Sequence, residues 1–250
     1  MEITFGLIIG LAVGSFINVL VDRLPKKEGF LFGRSRCPHC RTNLRWYELV
    51  PILSFIVLRG RCSSCRQKIS WRYPLIEALA GVGFFLLATL FAGNLAFLLW
   101  LLVLFSILVF IAAYDARHLI IPDWSLVALL VWVLAGKLIF ERGTIVLSVL
   151  AGIILASFFL FIFVVSRGRW LGGGDVKLAA ALGFWVAWPK IIVLLGAAYL
   201  AGGLVSGLLL VSGRAGPKHR IAFGPFLLFG ALAAFLYGNE IIQWYLGVLH

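Results

Sequence analysis

Two sets of residues in this 250-residue sequence have types and spacings that support chemistry: the aspartates Asp22, Asp115, Asp123 and Asp175, and the cysteines Cys37, Cys40, Cys62 and Cys65. Two carboxylates converging on one water perform acid–base hydrolysis of a peptide bond, the ionised member activating the water and the neutral one polarising the carbonyl. Four thiolates in paired C-x2-C turns complete a tetrahedral shell around a structural metal ion.

The aspartates differ in how well a structural role explains them. Asp22 follows an apolar run beside Arg23, which suffices for it. Asp123, in "IIPDWS", follows a proline at the start of another apolar run, the setting of a helix N-cap. Asp115, in "LVFIAAYDARHLIIPD", ends an apolar run, where the negative helix terminus disfavours a carboxylate. No structural requirement asks for it there. Asp175, in "RWLGGGDVKLAAALGFW", suits a cap too, but the glycines before it permit unusual backbone conformations and close approach of a peptide. Asp115 and Asp175 are therefore the candidate catalytic pair. From their positions at the end and the start of a helix, Asp115 takes the role of acid and Asp175 that of base.

The cysteines form "CPHC" and "CSSC", a C-x2-C-x21-C-x2-C pattern in one polar stretch. The spacing predicts structural zinc held by Cys37, Cys40, Cys62 and Cys65, with His39 a spacer. A loop of about 50 residues buries little core, so a metal staple has a physical purpose. A closed S4 shell leaves no open position for catalysis by the metal.

The elements that must position these residues follow from composition. The chain is 62% hydrophobic and 13% charged, outside the balance of soluble domains. Apolar windows of membrane-spanning length fall near 3–21, 74–92, 95–113, 124–140, 144–165, 189–211 and 221–238, with a shorter one at 175–188. Their runs do not alternate as barrel strands would, so the expected fold is all-α, a polytopic bundle of about eight transmembrane helices. Domain limits follow: a first transmembrane helix at 1–21, a small zinc-stapled cytoplasmic domain at 22–73, and a membrane-embedded core at 74–250. Gly6, Gly10 and Gly14 in the first helix form a small-residue face for close helix packing.

The formal charge of +12 is distributed as membrane topology requires, which argues against nucleic acid as a partner. Twelve of the 22 Lys and Arg lie in 22–73, and an eight-helix path brings Arg117, Arg167, Arg169, Lys177, Arg214, Lys218 and Arg220 to the same side. The positive-inside rule then places 22–73 in the cytoplasm, both termini outside, and Asp115 and Asp175 at the cytoplasmic face.

Taken together, "GSFINVLVDRLP", the paired CxxC motifs, "VPILSFIVLRGRC", "ISWRYPLIE", "YDARHLIIPD", "GGGDVK" and "IAFGPFL" resemble the bacterial type IV prepilin peptidases, bifunctional leader peptidases and N-methyltransferases of the GxGD aspartic protease class. The resemblance covers nearly the whole chain in motif order. It implies an inner-membrane aspartic protease that removes the leader of type IV pilus prepilins or type II secretion pseudopilins at the cytoplasmic face, then methylates the new N-terminus with S-adenosylmethionine. Motif by motif, the family's catalytic aspartates fall on Asp115 and Asp175, and its metal ligands on Cys37, Cys40, Cys62 and Cys65. The methyl donor is implied by the resemblance alone, since no nucleoside-binding motif is present. A presenilin-like intramembrane protease lacks the cysteine loop. A transporter or channel would bury its acids near the bilayer midplane, not at a polar boundary, and a scaffold would not need Asp115.

Overall fold

A computed structural model describes residues 2–29, 34–213 and 221–248. The expected basic positions Arg214, Lys218 and Arg220 lie outside the described residues. Nine α-helices occur among those described: α1 (Glu2–Arg23), α2 (Leu53–Val57), α3 (Arg72–Phe91), α4 (Leu95–His118), α5 (Asp123–Phe140), α6 (Ile145–Val165), α7 (Gly173–Val186), α8 (Ile191–Val211) and α9 (Gly224–Val248). No strand is found among the described residues, only two isolated antiparallel bridges.

Seven of these helices, all but α2 and α7, are long and apolar enough to cross a membrane. The all-α membrane bundle is thus as expected. The eighth segment, α7, has 14 residues, about 21 Å of helix against a hydrocarbon core of about 30 Å. Two boundaries move. The third span continues through Asp115 to His118, and the last one runs ten residues past 238 to Val248.

The chain divides into two compact units, residues 1–113 and 114–250, with the boundary inside α4. In the first unit α1 packs along α3. The glycine face does what its spacing predicts: a Cβ on Gly10 would lie 2.6 Å from the Ala80 carbonyl oxygen, and one on Gly14 2.7 Å from the Glu77 Cα. Where lipid supplies no hydrophobic drive between helices, such close backbone approach maximises dispersion contacts.

The polar ends of α1 and α3 are also joined. Asp22 accepts from Arg72 at 2.7 Å and from the Tyr73 hydroxyl at 2.6 Å, while Arg23 donates to the Gly29 and Arg34 carbonyls. Asp22 therefore serves as a tie between helices, with Arg72 in the role that adjacency suggested for Arg23. Buried Glu77 of α3 accepts from the Ile52 backbone N–H at 2.8 Å and so anchors the start of α2.

In the second unit, short α7 packs against α5, α6 and α9, and α8 pairs with α9. Leu178 and Leu182 of α7 are fully buried, as are Leu155 and Phe159 of α6 and Leu227 and Ala231 of α9. Gly183 lets α7 approach α6, since its Cβ would fall 2.7 Å from the Ala151 carbonyl oxygen. A helix too short to span is thereby fixed at the heart of the unit by its neighbours, which sets the position of its N-terminal turn.

Candidate active site and metal centre

Asp115 lies in the last turn of α4 and is 5% exposed. Its Oδ2 accepts from the backbone N–H of Gly224, the first residue of α9, at 3.1 Å. A glycine is needed at that point because a Cβ on residue 224 would sit 2.5 Å from the same oxygen. The turn bearing Gly224 is itself held by aromatic packing: the Phe223 ring lies tilted against Phe159 of α6, Tyr199 of α8 and Phe226, at centroid separations of 6.0, 5.5 and 6.3 Å.

Asp175 is half-buried at the third position of α7. Gly172 is the N-cap residue, and its backbone N–H donates to Asp175 Oδ2 at 3.1 Å. The carboxylate thus reaches back to the cap residue, as in the acidic half of a capping box, and is not the cap that its sequence context allowed. Gly172 has ordinary extended backbone (φ −79°, ψ 151°), and none of the three glycines has positive φ. Their use lies in the missing side chains. Gly172 and Gly173 leave exposed backbone before the helix, and Gly174 packs against Ile121, which a Cβ would meet at 3.3 Å.

Asp115 and Asp175 are close enough to interact electrostatically. Each carboxylate has one oxygen anchored by a backbone amide, and no second hydrogen-bond partner is seen among the described residues. Two restrained carboxylates within each other's field, at the start of one helix and the end of another, can share work on a water and a peptide carbonyl.

Asp123 is not an N-cap either. Pro122 occupies that position, and Asp123, the first residue of α5, pairs with Lys177 of "GGGDVK" at 2.6 Å with both side chains largely exposed. A proline at residue 122 leaves the capping role without a side-chain acceptor, and Asp123 finds a cation 54 residues away instead. Such an exposed pair adds little stability. Sequence reading also missed Gly224; its only signal was a Gly-Pro step inside "IAFGPFL" at the start of an apolar run.

The four cysteines converge in the first unit, with their sulfurs all within 4.8 Å of one another. Zinc bonded to sulfur at about 2.3 Å spaces tetrahedral ligands about 3.8 Å apart, and Cys37 Sγ lies 3.9 Å from Cys65 Sγ. The residues therefore fit a closed S4 site. Two matching turns build it. In one, the Cys37 N–H bonds the Thr42 carbonyl and the Arg41 N–H bonds the Cys37 carbonyl; in the other, Cys62 pairs with Gln67 and Arg66 with Cys62 in the same way. Arg41 and Arg66 both take left-handed φ, and the bridges Arg36–Asn43 and Arg61–Lys68 close each turn.

The turns also prepare thiolates. The hydroxyl and backbone N–H of Thr42 bring the Cys40 thiol down to about 6. Backbone amides of Cys65 and Ser64 lower that of Cys62. Cys65 accepts from the Gln67 amide, yet desolvation and the three neighbouring sulfurs push it up to about 11. Four adjacent thiols cannot all ionise without a cation among them, and a bound divalent metal supplies it.

Purified protein is expected to carry one zinc per chain by elemental analysis, and Cys37→Ser/Cys62→Ser to carry less than about a tenth of that. Residues 34–72 should then become protease-sensitive while helix content by circular dichroism is kept. Full zinc retention in the double variant would exclude this tetrad as the metal site.

Comparison with known proteins matches two family models: the bacterial peptidase A24 N-terminal domain over residues 8–91 and the type IV leader peptidase family over residues 102–249. Among curated proteins, the chain is 37% identical over 252 residues to a prepilin leader peptidase/N-methyltransferase of Dickeya chrysanthemi, covering 88% of this chain and 87% of that one. Proteins of the same name from Burkholderia pseudomallei (strain K96243) and Bacillus subtilis are 36% and 31% identical, each over 96% of this chain and over 86% and 96% of theirs. No solved structure matches.

Proposed function

Because this chain belongs to the type IV leader peptidase family, we propose that it removes the leader of a type IV prepilin or type II secretion pseudopilin by aspartic proteolysis and then methylates the exposed N-terminus. The observation that carries the proteolytic step is the mutual field of Asp115 and Asp175, each anchored through one oxygen by a backbone amide.

In this reading Asp175 takes a proton from the attacking water and Asp115 hydrogen-bonds the scissile carbonyl, the roles that their helix positions suggest. With the Asp115 proton passed to the carbonyl oxygen, the gem-diol so formed collapses as Asp175 gives the proton it took from water to the amide nitrogen, which leaves, and Asp115 takes a hydroxyl proton back. The bare backbone at Gly172 and Gly173 offers N–H and C=O groups against which an extended peptide can lie. Residues 22–73 act as a zinc-binding module between a first helix and the peptidase core of 74–250. Module and active site face the cytoplasm of the inner membrane, in keeping with the basic charge of the module. Zinc, on Cys37, Cys40, Cys62 and Cys65, supplies structure and not chemistry. S-adenosylmethionine enters through the family alone, and no residue of this chain is assigned to it.

The test is co-expression with a candidate prepilin, followed by mass spectrometry of the pilin N-terminus. Loss of the leader with a gain of one methyl mass is expected. An uncut leader across both prepilin and pseudopilin substrates would overturn the proposal, and cleavage without added mass would remove its second half.

A further inference from the structure

A groove in the first unit, about 850 Å³, belongs neither to the aspartates nor to the cysteine tetrad. Its apolar wall comprises Phe55 and Ile56 of α2, Trp71, and Leu75 and Ala78 of α3, and its polar rim is made of Arg59, Arg61 and Lys68. Arg61 and Lys68 are directly bridged across the second of the two cysteine turns, or knuckles, which puts their side chains on one side.

The three cations are not neutralised locally. Among the described residues none of them forms an ion pair, and no acid lines the groove. The only acid between residues 52 and 91 is Glu77, which is buried and engaged with the Ile52 backbone.

The apolar wall continues along α3. Leu75, Leu79, Val82 and Leu86 form one exposed stripe along α3, at 50 to 68% exposure, and α3 is among the candidate spans. Trp71, 77% exposed just before α3 and packed on Phe55 at 4.8 Å, sits where an aromatic ring marks the headgroup level. Cations therefore stand above a lipid-facing stripe, with a groove joining them.

We propose that this groove binds one anionic phospholipid, its phosphate held by Arg59, Arg61 and Lys68 and an acyl chain lying along Trp71, Leu75 and Ala78. Basic pockets beside transmembrane helices recognise such headgroups through charge, while the stripe takes the chain. S-adenosylmethionine suits the rim poorly, because its sulfonium would face three like charges. The proposal rests on α3 crossing a bilayer and is independent of the roles given to Asp115 and Asp175.

Native mass spectrometry of the full-length protein in detergent, titrated with phosphatidylglycerol or phosphatidylcholine, tests it. Each basic residue at an anionic surface strengthens association about fivefold, so three give about a hundredfold. Wild type should bind one phosphatidylglycerol in preference to phosphatidylcholine. Arg59→Gln/Arg61→Gln/Lys68→Gln should weaken that binding about a hundredfold, with zinc content unchanged.

A control triple outside the groove, Arg36→Gln/Arg41→Gln/Arg66→Gln, should lose less than about fivefold. Ala78→Trp, which fills the groove from α3 and lies away from the knuckles, should also displace the lipid. Equal losses in the two triples, no preference for phosphatidylglycerol, retention of lipid in Ala78→Trp, or displacement of the lipid by S-adenosylmethionine would each overturn the proposal.

Discussion

Asp115→Asn and Asp175→Asn should each lower kcat/KM for leader cleavage by at least about a thousandfold, because acid–base groups contribute about 10²–10⁴ and neither amide can exchange the proton. Asparagine is the informative replacement. Its amide oxygen can still accept from the Gly224 or Gly172 N–H, so the contacts made by the carboxylates at 3.1 Å are preserved. Loss of activity with unchanged thermal stability would then report chemistry and not folding.

Methylation of a synthetic pilin peptide that already lacks its leader should persist in both variants, since neither aspartate is assigned to that step. Asp123→Asn is the matched control. It removes an exposed ion pair with Lys177 and should leave cleavage within about twofold of wild type. Retention of a tenth or more of wild-type cleavage in either Asp115→Asn or Asp175→Asn would eliminate the dyad.

Gly224→Ala should reduce cleavage about a hundredfold and cost about 1–3 kcal/mol of stability, since it separates a buried carboxylate from its amide partner. The added methyl group would lie 2.5 Å from Asp115 Oδ2 and 3.2 Å from its Cγ, so the carboxylate must swing away. A misplacement of about 1 Å at a reacting group costs about 10²-fold. The helix itself should still form, because Gly224 lacks positive φ and alanine is favoured over glycine at a helical position. Gly203→Ala, on α8 with no atom within 4 Å of the added Cβ, is the control and should cleave normally. Full activity in Gly224→Ala would show that the Gly224 contact does not restrain Asp115 during catalysis.

How well each feature could be read from the sequence depends on the range of the interaction behind it. The membrane helices follow from a local property, the apolar length needed to cross a bilayer, and seven windows met it. The cysteine tetrad was readable because each half is a short turn and zinc requires four ligands. The matched hydrogen bonding of its two halves was not, since Thr42 and Gln67 share no sequence signal.

Capping was less legible. Asp123 and Asp175 both stand beside helix starts, but in each case an earlier residue, Pro122 one position before or Gly172 three before, is positioned to begin the turn, and where the carboxylate points was then decided by a partner. For Asp123 that partner, Lys177, is 54 residues away, and for Asp115 the Gly224 amide is 109 residues away.

By itself, then, the sequence determined that the chain is an all-α membrane bundle with a metal-binding loop, and it singled out Asp115 and Asp175 because local helix chemistry left Asp115 without a structural role. Only the tertiary structure decided what Asp115 and Asp123 touch. The Gly224 amide comes within reach of Asp115 because α4, α7 and α9 end or begin at a common place, whereas the Gly172 amide meets Asp175 within the first turn of α7. That convergence is set by close packing of α7 on its neighbours, through contacts between residues scores of positions apart that no local pattern records.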